Sequence, residues 1–172
     1  MLLAYLAYCA YRSLTDFEYW NVFSGITLVV HEAGHVIFAP FGEIIEAAGG
    51  SIMQVVTPLI AAALFFRQRE YFGISVALAW LSMSLANLAA YIGDARSQDL
   101  PLVSMGSGDP IHDWHFILAR YAMLGDDHSI ARFTLFLGGI AIVVALAWGS
   151  WLCVWMRRLP PLQPTVEQVL GS

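Results

Sequence analysis

Residues 31–35 read His31-Glu32-Ala33-Gly34-His35. On a helix, residues four apart share a face, so His31 and His35 can offer two imidazoles to one metal ion. Glu32 projects about 100° round from His31 and can reach a water at that metal. These residue types at this spacing suit metal-assisted hydrolysis, with Glu32 as the general base. Catalytic zinc takes three protein ligands and keeps a fourth position open, so a third ligand is required. Asp94 is the candidate. It follows Asn87-Leu88-Ala89-Ala90-Tyr91-Ile92-Gly93 at the end of an apolar segment, where a carboxylate next to glycine can fold back toward a neighbouring helix. Glu43 and Glu46 are nearer in sequence, but they follow Pro40 and Gly42 and read as solvated loop acids. A second group, His112-Asp113-Trp114-His115, opens a short helix. His112 can be a further ligand or stabilise transition-state charge, and Asp113 can orient an imidazole. The same four residues also suit an ordinary interfacial helix. His128, beside Asp126 and Asp127, reads as cap chemistry.

The elements that must position these residues are membrane helices. Of 172 residues, 59% are hydrophobic and 12% charged, against about 45–50% and about 25% in soluble domains. The net charge is -5 and there is no lysine, which leaves no basic patch for nucleic acid. Cys9 and Cys153 have no metal-ligand spacing and read as packing residues. A helix needs about 20 apolar residues to cross the hydrocarbon. Four segments meet or approach this: 19–41, 49–66, 71–93 and 133–156. Residues 2–11 add a short N-terminal helix.

The expected fold is therefore all-α: a polytopic membrane bundle of four spanning helices, with the short N-terminal helix and one interfacial helix. Residues 1–156 form one membrane-embedded domain, and 157–172, with Pro160, Pro161 and Pro164, form an irregular tail. Asp109-Pro110 predicts the N-cap and first position of an interfacial helix over 110–124. With four spans, Arg12, Arg67, Arg69, Arg157 and Arg158 all fall on one side, which the positive-inside rule makes cytoplasmic. His31, His35 and Asp94 then lie toward the opposite face. Ionisable residues at that depth are costly unless compensated, and a bound metal compensates them. A buried His/Glu hydrogen-bond cluster is the structural alternative.

A membrane-embedded HExxH, then the glycine-led stretch Gly49-Gly50-Ser51-Ile52-Met53-Gln54, then Asn87 followed by Gly93-Asp94, resembles the site-2 protease family of intramembrane zinc metalloproteases. The resemblance covers roughly residues 20–95. It implies Zn2+ as cofactor, bound by His31, His35 and Asp94, with Glu32 activating water. It also implies a membrane-spanning protein as substrate, met within the lipid bilayer. Two other functions use the same residues: a membrane zinc hydrolase of a lipid or small amide, and a non-catalytic metal-binding membrane protein.

Overall fold

The structure of the protein, a computed structural model, describes residues 1–101 and 112–158. Six α-helices run in the order α1 (Leu2–Thr15), α2 (Val22–Phe38), α3 (Glu43–Arg67), α4 (Tyr71–Gly93), α5 (Asp113–Arg120) and α6 (Asp127–Arg157). No strand occurs among the described residues. α2 with its terminal turn, α3, α4 and α6 are each long and apolar enough to cross a membrane. The expected all-α bundle is the architecture observed.

Local chemistry sets the boundaries. Asn21 begins α2 with a capping box: its side chain accepts the Phe23 N–H at 2.9 Å, and Ser24 Oγ accepts the Asn21 N–H at 3.1 Å. α2 ends in a 3-10 turn, Ala39–Phe41, and the chain reverses at Gly42, whose φ of 98° suits glycine. α3 starts at the next residue. Glu43 and Glu46 thus belong to its first turn, where the helix dipole favours acids, and not to a loop. α6 likewise starts at Asp127, six residues before the expected 133. The interfacial helix is shorter than 110–124 and is capped by His112. Asp109 and Pro110 lie outside the described residues, as does the tail from 159.

α4 is the central helix. Of its apolar window 56% is buried, against 11% for α2, which stands at the edge of the bundle. α4 is lined with small residues: Ser75, Ala77, Ala79, Ser82, Ser84, Ala86 and Ala89 are all buried. Small faces let backbones approach where no hydrophobic effect drives association. α6 answers with Gly138 beside the Ser82 carbonyl and Gly149 beside Ser75. Leu6, Cys9 and Ala10 of α1 complete this core with Ala79, Met83, Ile142 and Ala145. Cys9 is a packing residue, as its apolar setting suggested.

Helix directions follow from the pairings. Phe23 stacks on Trp80, and Thr27 bonds Ser84, so α2 and α4 run parallel. α1 also runs with α4: Leu3 sits near Gly149 and Leu14 near Gly138, in an antiparallel match to α6. The α3–α4 turn, with Arg67 and Arg69, and the α6 C-terminus, with Arg157, share one end of the bundle. Arg12 departs from that set. It lies near the C-terminus of α1, about 14 Å up the helix from Leu3 at 1.5 Å per residue, and pairs with Asp16 at 2.7 Å. The ends of α2 and α4, the start of α3, and α5 form the opposite end.

α2 and α3 cross at glycines. A Cβ on Gly34 would strike the Gly49 carbonyl, and one on Gly49 would lie 2.7 Å from the Gly34 carbonyl and 2.8 Å from Phe38 Cβ. Gly139, on α6, has open space. Gly34→Ala should lower the melting temperature in detergent, with an overpacking cost of about 1–3 kcal/mol. Gly139→Ala should be neutral or stabilising, since alanine is the better helix former. Equal melting temperatures for the two variants would refute the close crossing.

Candidate metal centre

The glycine crossing sets α3 directly under the His31/His35 face of α2. A Cβ at Gly50 would lie 2.5 Å from His31 Nε2 and 2.6 Å from His35 Nε2. The two Nε2 atoms therefore converge over a bare backbone. The donor atoms of His31, Glu32 and His35 all lie within 4.8 Å of one another, and all three residues are half-buried.

Each imidazole is oriented from behind. His31 Nδ1 is 2.7 Å from Gln54 Oε1, and His35 Nδ1 is 2.9 Å from the Glu46 carbonyl. A carbonyl only accepts, so His35 carries its proton on Nδ1. Gln54 is fixed by the same logic: its Nε2–H donates to the Ser84 carbonyl at 2.9 Å, which turns Oε1 toward His31. His31 must then donate from Nδ1. With Nδ1 engaged in this way, it is Nε2 that each neutral ring would offer as a lone pair to a metal, with an outer partner on Nδ1. Gln54 is 2% exposed and Ser84 1%, so this support is shielded from competing water.

The third group facing them is Asp113. Its Oδ2 lies 3.4 Å from His31 Nε2 and 3.3 Å from His35 Nε2. A charge-assisted hydrogen bond would be about 2.7–2.9 Å. Two ligand atoms about 2.0–2.1 Å from one zinc at the tetrahedral angle stand about 3.3–3.4 Å apart. The observed distances fit either a long ion pair or the ligand edges of such a metal site, and the donor set, two imidazoles and a carboxylate with no thiolate, is one that zinc accepts. Burial pushes the Asp113 carboxyl up, but the two imidazoles more than offset this and hold it below the usual range. It is an anion at neutral pH.

Asp94 is placed elsewhere. It is the C-cap of α4, and its oxygens accept from Ser97 Oγ at 2.7 Å, the Asp99 N–H at 2.9 Å and the Leu100 N–H at 3.0 Å. These donors hold its carboxyl low despite burial. The chain after Gly93 thus folds onto Asp94 instead of sending it back toward α2. Its other neighbour is His112, whose Nε2 is 3.4 Å away. His112 is also apart from the cluster. It is 2% exposed, lies over Tyr91 at 4.3 Å between ring centres, and burial lowers its pKa. His128 lies in the first turn of α6, where its N–H donates to Asp127 Oδ1.

Gly50 and Gln54 belong to the glycine-led stretch noted in the sequence, but their roles, a bare backbone under the imidazoles and an acceptor for His31 Nδ1, show only in the structure. Tyr91 was not singled out. Tyr91 O–H donates to Asp113 Oδ2 at 3.1 Å while its oxygen accepts the Asp113 N–H at 2.9 Å. The one legible signal was the spacing that puts Tyr91 one turn after Asn87 on the apolar helix. Asp113 was singled out to orient an imidazole; the structure points its carboxylate at the Nε2 atoms of both His31 and His35.

Taken together, these features define a class: an α-helical membrane protein with a His-Glu-His-Asp cluster set between its helices. Comparison with protein-family models, curated proteins and solved structures finds no match for the chain.

Gln54→Leu removes the acceptor behind His31 and should weaken zinc binding by about 10–100-fold, the usual cost of losing an outer-shell partner. Chelator-competition titration measures it. Unchanged affinity would show that Gln54 does not set the His31 tautomer.

Proposed function

We propose that this protein is a membrane-embedded zinc metalloprotease with site-2-protease-like chemistry. His31, His35 and Asp113 would hold the ion, and Glu32 is the general base. The observation that carries the proposal is the approach of Asp113 Oδ2 to the Nε2 atoms of two histidines at 3.3 and 3.4 Å. Zinc bound there supplies Lewis-acid polarisation of a carbonyl and acidifies water.

The remaining steps belong to the chain. Glu32 lies within 4.8 Å of both histidine donors, a separation that one water can bridge. It accepts the proton of the attacking water and delivers it to the leaving nitrogen. Gln54 and the Glu46 carbonyl keep both imidazoles in one tautomer through the cycle. Tyr91 holds Asp113 by both its N–H and its carboxylate, so the carboxylate does not drift when the site's charge changes.

The setting supports a substrate met in the membrane. α2 stands at the bundle edge, and Val22, Ile26, Val29, Val36 and Ile37 are exposed. Such a face suits lipid and a neighbouring helix. A peptide carbonyl within a helix is already hydrogen-bonded, so the substrate must unwind at the scissile bond. Glycine or proline there favours unwinding.

The test uses the purified full chain, zinc and a single-span peptide with a Gly-Pro break. Glu32→Gln should retain zinc and lose about 10²–10⁴-fold in peptide hydrolysis. Hydrolysis at the wild-type rate would sink the assignment of Glu32. Cleavage of phospholipid or a ceramide-like amide, with the peptide untouched, would transfer the chemistry to a lipid hydrolase.

A further inference from the structure

We infer that Asp94 and His112 form a latch that positions Asp113 for metal binding, without either of them being a ligand. The inference rests on the metal reading above and concerns how the third ligand reaches a site built on other helices. Asp113 is the first residue of α5, a helix of eight residues joined to the bundle by few contacts. Trp114 Nε1–H donates to Ser51 Oγ on α3 at 3.0 Å, and His115 Nδ1 lies 2.7 Å from the Ala95 carbonyl. A helix this short is not stable alone, so the direction of Asp113 depends on how the start of α5 is held.

His112 holds that start. Its Nδ1 accepts the His115 N–H at 3.2 Å, which makes the imidazole the N-cap of α5. An accepting Nδ1 requires the proton on Nε2. This tautomer carries its proton on Nε2 and cannot bind metal through that atom. That N–H is fully buried with no hydrogen-bond partner at its present distance, and it faces Asp94 Oδ2 at 3.4 Å. A buried donor left without a partner is costly, so closing onto Asp94 is the favourable direction. Tyr91 packs over the His112 ring and bonds Asp113 at both ends. The result is a continuous set of contacts, Asp94 to His112 to Tyr91 to Asp113. It ties the C-cap of α4 to the N-cap of α5, with Asp94 fixed in turn by the Ser97 hydroxyl and two backbone N–H groups.

The latch separates two roles that the sequence merges, since both aspartates lie near the ends of apolar or amphipathic segments. Asp113 supplies the ligand atom. Asp94 and His112 decide where that atom stands, and they are positioning residues.

Cobalt titration of the purified full chain in detergent tests this, reading the visible d–d bands for ligand set and the titration curve for affinity. Wild type should bind one cobalt with tetrahedral-type bands. Asp94→Asn and His112→Asn should keep the band positions while affinity falls about 10–100-fold, the scale of a lost outer-shell partner. Asp113→Asn should change the band shape or abolish binding. Asparagine is itself a good N-cap, so His112→Asn preserves the start of α5 and carries the test alone if Asp94→Asn loses its helical circular dichroism. Unchanged affinity in the folded variants overturns the latch and leaves the metal site standing. Altered bands in Asp94→Asn with wild-type bands in Asp113→Asn would make Asp94 the ligand and overturn the latch. No cobalt binding by wild type overturns the metal reading itself, and the latch with it.

Discussion

The closeness of α2 and α3 at Gly34, Gly49 and Gly50 is the constraint on which the rest of the site depends. Any side chain at Gly34 or Gly49 would meet the opposing backbone or Phe38, and one at Gly50 would meet both histidine rings. With the Cβ atoms absent, the backbone of α3 passes beneath two imidazoles, close enough for the Glu46 carbonyl and Gln54 to bond their far nitrogens. Gly34, the second variable position of His31-Glu32-Ala33-Gly34-His35, thus serves packing, and that packing places the partners of both Nδ1 atoms.

From that crossing the support spreads outward in order of burial. Gln54 is held by Ser84 on the central helix, and Ser84 Oγ meets Thr27, one turn before His31 on α2. Trp80 Nε1–H also donates to Thr27. Three helices are joined by polar contacts at the depth where apolar surroundings make each unpaired group expensive. α5 is the exception. Among the described residues its Asp113 is the one carboxylate paired with both histidines, and it reaches them from outside the bundle's long helices.

Much of the fold was legible because membrane spans announce themselves by length and apolarity. The four long helices and the short N-terminal one lie where composition placed them. Their ends shifted where local chemistry outweighs hydropathy: Glu43 and Glu46 are polar, yet they suit a helix N-terminus and extend α3 back to Gly42. The His31, Glu32 and His35 trio was legible from i,i+4 spacing alone. Which aspartate stands beside the histidines was not. Asp94 and Asp113 both follow an apolar helix or open an amphipathic one, and spacing cannot say which carboxylate is consumed by the backbone N–H groups that follow it. Asp94 is so consumed, by Asp99 and Leu100. Arg12 was counted only as preceding the first span; in the structure it belongs to α1, which runs parallel to α2, and pairs with Asp16.

Two histidines, a glutamate and an aspartate meeting in an apolar bundle are costly unless something binds them together. The Nε2 atoms of both histidines stand within 3.3–3.4 Å of the Asp113 carboxylate, and on the reading proposed above a cation takes the place between them. X-ray absorption at the zinc edge of the purified, zinc-loaded protein tests this most directly. A four-coordinate shell of nitrogen and oxygen at about 2.0–2.1 Å, with the multiple scattering of two imidazoles, is expected. A shell with one imidazole or none, a sulfur ligand, or an Asp113→Ala protein whose shell is indistinguishable from wild type would contradict the site.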